Sequence, residues 1–159
     1  MSSQKIFGKV RSIFISTKAG EAMIQVFQVN ALENLGFEGD RYAKKIGFWQ
    51  TVPKPRETAR DVTFINEADI RDSGFTEAET RRNIVIENKV DLLLLIGRKF
   101  LIGDVLFEGT EECTPCKRPS LLAGKPNFDN VFQNTGGLRA RVLIGGTIKS
   151  GDLIYRLID

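Results

Sequence analysis

The sequence of 159 residues contains no histidine. Without histidine, the chain cannot form a Ser-His-Asp triad, a Cys-His pair or a histidine-ligated zinc site from its own residues. Near neutral pH, the side chains that can still titrate are the two cysteines, or a lysine or carboxylate with a strongly shifted pKa. The absence of histidine therefore directs the search for chemistry to the cysteines.

The sequence also lacks a long apolar run. Residues 92–96 form the most notable one, and it is far too short to cross a bilayer. The first residues have neither the long apolar segment nor the cleavage pattern of a secretory signal. We therefore expect a cytoplasmic protein without a membrane-spanning segment.

An excess of one charge is lacking as well, since 23 basic and 20 acidic residues leave a net charge of only +3. Nucleic-acid binding depends on many clustered cations, whereas the basic residues here are spread along the chain. A small anion is therefore a better candidate partner than nucleic acid. Length and composition, with 42% apolar and 27% charged residues, predict a single globular domain over residues 1–159.

Short apolar segments separated by glycine-containing turns predict a chain made mostly of strands. Residues 9–16 and 21–29 are predicted to pair as a hairpin around Lys18-Ala19-Gly20. The other predicted strands lie at residues 61–65, 83–87 and 137–144, and after the Gly-Asp turns within residues 100–108 and 148–156.

Two short helices and two loops complete the predicted organisation. Asn66 is expected to cap a helix running to residue 71, and Thr76 and Glu79 form a capping box for a second helix. Residues 36–41 are predicted to form a glycine-punctuated loop, and residues 44–60 a long irregular surface loop. The whole pattern predicts a mainly β fold, a closed or nearly closed β-barrel with a few short helices.

The sharpest local motif is Cys113-Thr-Pro-Cys116. Free cysteines are often buried and inert, but the flanking residues are polar or proline and predict a loop. A thioredoxin-like dithiol usually opens a helix, and Pro119 disfavours a long helix starting at Cys113. A structural zinc site would need two further ligands. Both alternatives remain open.

A third reading of the motif is a reactive thiolate that carries sulfur or binds a soft metal. Thiolate is the nucleophilic and metal-binding form of cysteine, and the charges of Lys117 and Arg118 would favour it. The same cations would attract an anionic cofactor.

Arg139 and Arg141 are a second candidate for an anion site. Residues i and i+2 of a strand share a face, and paired guanidinium groups suit phosphate. The alternative is that both residues belong to a charged outer face of the barrel.

Taken together, the motifs resemble the MOSC domain, named after the C-terminal domain of molybdenum cofactor sulfurases. The resemblance covers roughly residues 36–152 and lies in the order of the motifs rather than in one of them. The motifs are Gly36-Phe-Glu-Gly-Asp-Arg41, Arg82-Asn83-Ile84, the Ile-Gly-Asp within residues 97–105, Cys113-Thr-Pro-Cys116, Gly137-Leu-Arg-Ala-Arg-Val142, Gly145-Gly-Thr-Ile148 and Gly151-Asp152.

The resemblance implies a β-barrel that binds the molybdenum cofactor (molybdopterin) through a functional cysteine. By position in the motif, Cys116 is the metal ligand or persulfide carrier, and Cys113 is its less certain neighbour. The residues implied in holding the phosphate and pterin are Arg82, Asn83, Arg139 and Arg141, with Lys117 and Arg118 as the local cations.

Two functions are consistent with this resemblance, a cofactor-dependent reductase and a sulfur carrier. A stand-alone domain of this kind is expected to receive electrons from a donor protein, or sulfur from a pyridoxal-phosphate-dependent desulfurase. Many relatives have histidine where this chain has Tyr42, which puts any histidine-dependent step in doubt. A non-catalytic cofactor-handling module and a dithiol redox sensor are the alternatives.

Overall fold

A closed barrel of seven strands forms the centre of the fold. The computed structural model describes residues 3–51, 60–88 and 91–158. The strands are β1 (Ser3–Ile15), β2 (Ile24–Val26), β3 (Gln28–Leu32), β4 (Gly36–Phe37), β5 (Val62–Asn66), β6 (Ile84–Glu87), β7 (Lys99–Ile102), β8 (Val105–Glu112), β9 (Leu138–Ile144), β10 (Gly146–Lys149) and β11 (Leu153–Ile158). The helices are α1 (Phe48–Thr51), α2 (Glu67–Ile70), α3 (Arg118–Ala123) and α4 (Phe128–Val131), with 3₁₀ turns at Ala78–Thr80 and Leu92–Leu95.

The barrel runs in the order β11-β7-β8-β9-β5-β6-β1 and closes because β1 also pairs with β11. The long first strand makes this closure possible: its beginning pairs with β11, its second half with β6, and its end with β2. Gly8 lies at a register shift of β1, where a Cβ would come within 2.6 Å of the Glu87 carbonyl oxygen. A second, three-stranded sheet has the order β10-β3-β4.

Phenylalanine rings fill the barrel interior. Phe64 contacts Phe100 and Phe107 edge to face, at centroid distances of 5.6 and 5.4 Å, and Phe100 and Phe107 stack at 5.3 Å. All three rings are fully buried. Their burial supplies the apolar stabilisation that a closed barrel needs.

A second core lies outside the barrel wall, around Phe75, Phe128 and Phe132. Successive residues of β5 contribute to different cores, since Phe64 belongs to the barrel interior and Ile65 to the outer cluster. A strand that is buried on both faces is apolar at successive positions. Both faces of β5 are therefore held by packing, which makes this part of the wall rigid.

The structure confirms the predicted β-barrel and refines its elements. The strand predicted over residues 21–29 begins at Ile24 and is interrupted at Phe27. The capping box is present, because the Thr76 amide donates to Glu79 Oε1 at 2.8 Å and the Glu79 amide to Thr76 Oγ1 at 3.2 Å. Asn66 precedes α2 as expected, but its side chain makes no capping bond.

The predicted irregular loop over residues 44–60 contains helix α1, and its residues 52–59 lie outside the described parts of the chain. Helices α3 and α4 were not predicted from the sequence. Helix α3 begins only at Arg118, with Pro119 in its first turn. In the described residues, no helix is both long and apolar enough to cross a membrane.

Replacing Asn83 by alanine should destabilise the barrel. The Asn83 amide oxygen accepts bonds from the amide and the hydroxyl of Thr63, and its amide nitrogen donates to the Phe14 carbonyl. Asn83 is fully buried, so the variant leaves polar groups without partners at a cost of about 2–4 kcal/mol. Chemical denaturation measures this loss. Asn30→Ala, at an exposed position, is the control and should cost under ~1 kcal/mol; equal losses would contradict the explanation.

Candidate functional site

Loops from five parts of the chain meet at one cleft of about 590 Å³, part of it open to solvent. Three of these segments follow β1, β4 and β8, one precedes β6, and one is the start of β9. Most of the lining residues carry a guanidinium group, a thiol or an aromatic ring. They are Ala19, Gly20, Arg41, Tyr42, Phe48, Trp49, Arg81, Arg82, Cys113, Thr114, Cys116, Arg118, Pro119 and Arg139.

The cleft is strongly electropositive. Five of the lining residues are arginines, and none of the lining residues that the structure describes is acidic. Guanidinium groups present planar arrays of donors that match phosphate and carboxylate oxygens. Such a lining suits an anionic guest.

Arg41 is held in the cleft by its neighbour Asp40. The fully buried Asp40 carboxylate accepts bonds from the Ser16 amide at 2.9 Å, the Tyr42 amide at 3.2 Å and Arg41 Nη1 at 3.0 Å. The Arg41 guanidinium also lies over the Tyr42 ring, 4.2 Å from its centroid. The loop over residues 36–41 therefore ends in an anchored cation.

Arg81 is the least compensated cation of the cleft. Its pKa is lowered to about 10, first by burial and then by the positive charge of Arg41, with Arg118 adding to the effect. A pKa near 10 still leaves Arg81 charged at neutral pH. Its backbone adopts the left-handed conformation, with φ of 62°. An anion bound beside Arg81 would relieve the crowding of positive charge.

Arg82 holds the cysteine loop through backbone carbonyls. Its Nε donates to the Gly136 carbonyl at 2.8 Å, Nη1 to Thr80 at 3.0 Å and Nη2 to Cys113 at 3.2 Å. These bonds connect three separate segments around a buried guanidinium. We therefore assign Arg82 a positioning role at the edge of the cleft.

The two cysteines are free and differ in exposure. Cys113 is 3% exposed, whereas Cys116 is partly exposed. The Cys113 amide donates to the Gly137 carbonyl at 2.8 Å, which fixes its backbone beside β9. Of the two thiols, Cys116 is the one that a guest in the cleft reaches more readily.

Arg139 lies beside the buried Cys113. Burial lowers the pKa of Arg139, but the charges of Cys113, Tyr42 and Glu111 and a hydrogen bond with Cys113 outweigh this effect, so the net pKa is raised. Its Nη1 donates to Glu111 at 2.9 Å, while its buried Nε has no hydrogen-bond partner. An unpaired buried donor is costly, and it marks a place where a guest acceptor could bind.

The structure brings together five of the eight residues proposed from the sequence: Cys113, Cys116, Arg82, Arg118 and Arg139. It does not bring Asn83, Lys117 or Arg141 to the lining of the cleft. Asn83 instead uses its side chain to bond with Thr63 and Phe14, as described above. Lys117 is exposed at the N-terminal end of α3.

Arg139 and Arg141 do not form one anion site. Arg139 is buried opposite Glu111, whereas Arg141 is exposed opposite Glu108, further along the strand from the cysteine loop. The charge of Arg141 acts on Asp61, where it opposes the rise in carboxyl pKa that burial causes. Sharing a strand face was therefore not sufficient to place both guanidinium groups at the cleft.

Nine of the fourteen lining residues were not proposed from the sequence, and five of these nine carry a charged or aromatic side chain: Arg41, Tyr42, Phe48, Trp49 and Arg81. Arg41 ends the glycine loop that the sequence predicts, and Arg81 adjoins Arg82. Tyr42 stands out in the sequence only as the position where many relatives have histidine. Phe48 and Trp49 give no signal, because nothing in a predicted irregular loop indicates which way its rings point.

Metal ligands in the cleft are few. In the parts of the chain that the structure describes, no three histidine, cysteine, aspartate or glutamate side chains gather to form a chelating group. A soft metal in this cleft would therefore take thiolate from the protein and most of its other donors from a cofactor.

The fold and the site define a closed β-barrel protein with free thiols and arginines in one cleft. A model of the MOSC domain matches residues 58–155, well over half of the chain. This chain belongs to the MOSC domain family.

Solved structures show the same fold. The YuaD protein from Bacillus subtilis is 16% identical with a TM-score of 0.80, and the match covers 100% of both chains. YiiM from Escherichia coli is 18% identical with a TM-score of 0.64, covering 95% of this chain and 70% of that one. YiiM from Geobacillus stearothermophilus is 14% identical with a TM-score of 0.61, covering 99% and 76%. No curated protein matches the sequence.

Arg82→Lys should loosen the cysteine loop while keeping its charge. Lysine cannot replace three directed bonds to carbonyls, so the buried Cys113 should open to solvent more often. In a Cys116→Ser background, we expect Cys113 to react with a thiol reagent about tenfold faster or more, since each lost bond is worth roughly 1 kcal/mol. Arg141→Lys, outside the cleft, is the control. Unchanged labelling in the Arg82 variant would refute the positioning role.

Arg81→Gln should weaken the binding of a small anion. Pyrophosphate binding to the folded state should raise the Tm of the wild-type protein by mass action, and the rise should be smaller when the most crowded cation is removed. Arg98→Gln is the control: Arg98 is exposed and does not line the cleft, so this variant should show the same rise as the wild-type protein. If all three proteins show the same rise, the anion binds elsewhere.

Proposed function

We propose that this protein binds the phosphorylated molybdenum cofactor in the arginine-lined cleft and uses the Cys116 thiolate as its metal ligand, as a cofactor-dependent reductase. The observation that carries the proposal is the presence of five arginines and two free thiols in one cleft. Membership of the MOSC family supports the choice of cofactor.

The residues of the cleft fit such a guest. The cofactor carries a phosphate, a pterin and a metal that accepts thiolate. The cleft offers guanidinium groups for the phosphate. The buried Nε of Arg139, which has no hydrogen-bond partner, could donate to an acceptor atom, and the sulfur of the partly exposed Cys116 could bind the metal. Arg81, whose pKa is lowered by neighbouring positive charge, would be stabilised by an anion.

Each group of residues has a distinct task in this proposal. Arg41, Arg81 and Arg118 would hold the phosphate, since the positive charges of Arg41 and Arg118 both act on Arg81. Arg139 lies beside Cys113, and Arg139 and the cysteines would hold the metal-bearing end. The bound cofactor would supply the two-electron redox chemistry of molybdenum.

In this proposal, the protein orients the cysteine loop and shields the site from water. Arg82 keeps the Cys113 backbone in place, and with it the short loop that carries Cys116. The rings of Tyr42, Phe48 and Trp49 cover one part of the lining and reduce contact with water. Electrons would come from a separate donor protein.

A sulfur carrier is the second candidate, favoured by the partial exposure of Cys116 next to a buried thiol. In that role, the Cys116 thiolate attacks the outer sulfur of a persulfide on a pyridoxal-phosphate-dependent desulfurase. A new sulfur–sulfur bond forms on Cys116, the donor's own sulfur–sulfur bond breaks, and the donor cysteine leaves as thiolate.

The experiment is to purify the protein from cells that make the cofactor and to measure molybdenum and bound pterin. We expect both in the wild-type protein, and a loss of molybdenum of about tenfold or more in Cys116→Ser, because the thiolate ligand is gone. Cys113→Ser is the matched control and should retain most of the metal.

Other outcomes identify the alternatives. Molybdenum and pterin that both stay bound to Cys116→Ser would indicate a cofactor-handling module in which the thiolate is not the metal ligand. A mass increase of one sulfur atom on Cys116 after incubation with a desulfurase and cysteine would indicate the carrier. A Cys113–Cys116 disulfide without metal or pterin would indicate a redox sensor. Wild-type protein without molybdenum or pterin would refute cofactor binding.

A further inference from the structure

Three aromatic side chains form one wall of the cleft: Tyr42, Phe48 and Trp49. We call them the aromatic wall. The chain has one tryptophan and two tyrosines in total, and the tryptophan and one tyrosine lie here. The exclusion of water proposed above does not require aromatic rings, because apolar aliphatic residues would exclude water equally well.

Local hydrogen bonds build the segment that carries the wall. The Gly47 amide donates to Gln50 Oε1 at 2.7 Å, and Gln50 Nε2 donates to the Tyr42 carbonyl at 3.2 Å. A Cβ at Gly47 would lie 2.8 Å from the Tyr42 ring, so the close turn requires glycine. These contacts tie α1, which carries Phe48 and Trp49, back onto Tyr42.

The cations of the cleft also lie on these rings. The Arg118 guanidinium is 3.9 Å from the centroid of Phe48, and that of Arg41 is 4.2 Å from the centroid of Tyr42. Phe48 and Trp49 meet edge to face at 4.8 Å and 86°. Aromatic rings and positive charges therefore lie side by side in the cleft. A guest that interacts with both would have a flat ring and an anionic group.

We infer that the aromatic wall binds a planar aromatic ring of an anionic guest, with Trp49 as the specificity-determining contact. Aromatic pairs gain more than the burial of their area alone, through the charge distribution of the rings. A saturated ring of the same charge and size loses this gain. The inference rests on the proposed function only for the source of the ring, which is the pterin of the cofactor or an aromatic substrate.

The test compares two probes of equal charge, 2-naphthoate and decahydro-2-naphthoate, by calorimetry on cofactor-free protein. We expect 2-naphthoate to bind about two- to tenfold more tightly. The single indole N–H signal of Trp49 should also shift with 2-naphthoate in nuclear magnetic resonance spectra.

Trp49→Leu should abolish the preference, and Trp49→Phe should restore most of it. Phe27→Leu removes an exposed ring outside the cleft and is the matched control that should keep the preference. Equal affinity for the two probes in wild type, no binding of either, or a preference that survives in Trp49→Leu would overturn the inference.

Two further measurements identify the source of the ring. If it belongs to the cofactor, Trp49→Leu purified from cofactor-producing cells should lose pterin and molybdenum that Phe27→Leu retains. If it belongs to the substrate, cofactor content should be unchanged, and the KM for an aromatic substrate should rise while that for an aliphatic one does not. The proposed function fails separately, on the cofactor content of the wild-type protein.

Discussion

Five guanidinium groups share one cleft, and each must be held there against the repulsion of the others. The protein meets this constraint with a different partner for most of them. Arg41 has the buried Asp40, Arg82 has three backbone carbonyls, Arg118 lies on the Phe48 ring, and Arg139 has Glu111. Arg81 has no carboxylate partner among the described residues: its Nη1 donates to the Glu21 carbonyl at 2.9 Å, and its pKa is lowered to about 10. The proposed anion would bring a negative charge to a lining whose described residues include no acidic side chain.

The closed barrel makes this arrangement sustainable. Its seven strands leave no open edge in the ring, and β5 is buried on both faces by two separate cores. Loops that start from such a wall begin at fixed points. The repulsion within the cleft is therefore opposed by packing elsewhere, since a rigid scaffold prevents the loops from moving apart.

The same arrangement explains why the two cysteines differ. Cys113 continues the β8–β9 pairing and is buried beside Arg139, whereas Cys116 follows in the loop and is partly exposed. A buried thiol whose backbone is held by the sheet is suited to a structural role, and a partly exposed thiol in a loop at the cleft is suited to contact with a guest. The proposed division of roles between the cysteines follows from where the strand ends.

The sequence by itself determined the class of fold, because short apolar segments and glycine-containing turns are local features. It also determined that histidine chemistry is excluded and that Cys113 and Cys116 are the candidates for chemistry. Arg82 and Arg139 could be proposed because they lie within family motifs, and Arg118 because it follows the cysteine motif. Local pattern was sufficient for these.

Only the tertiary structure decided which cations meet. Arg41 and Arg81 are 40 positions apart in the chain and converge because β1, β4 and β6 bring their loops to one place. Arg141 shares a motif with Arg139 but lies outside the cleft, and the side chain of Asn83 is engaged by Thr63 and Phe14. The aromatic wall depends on the turn at Gly47. Convergence of distant loops is set by barrel closure and packing, and no single segment of sequence contains that information.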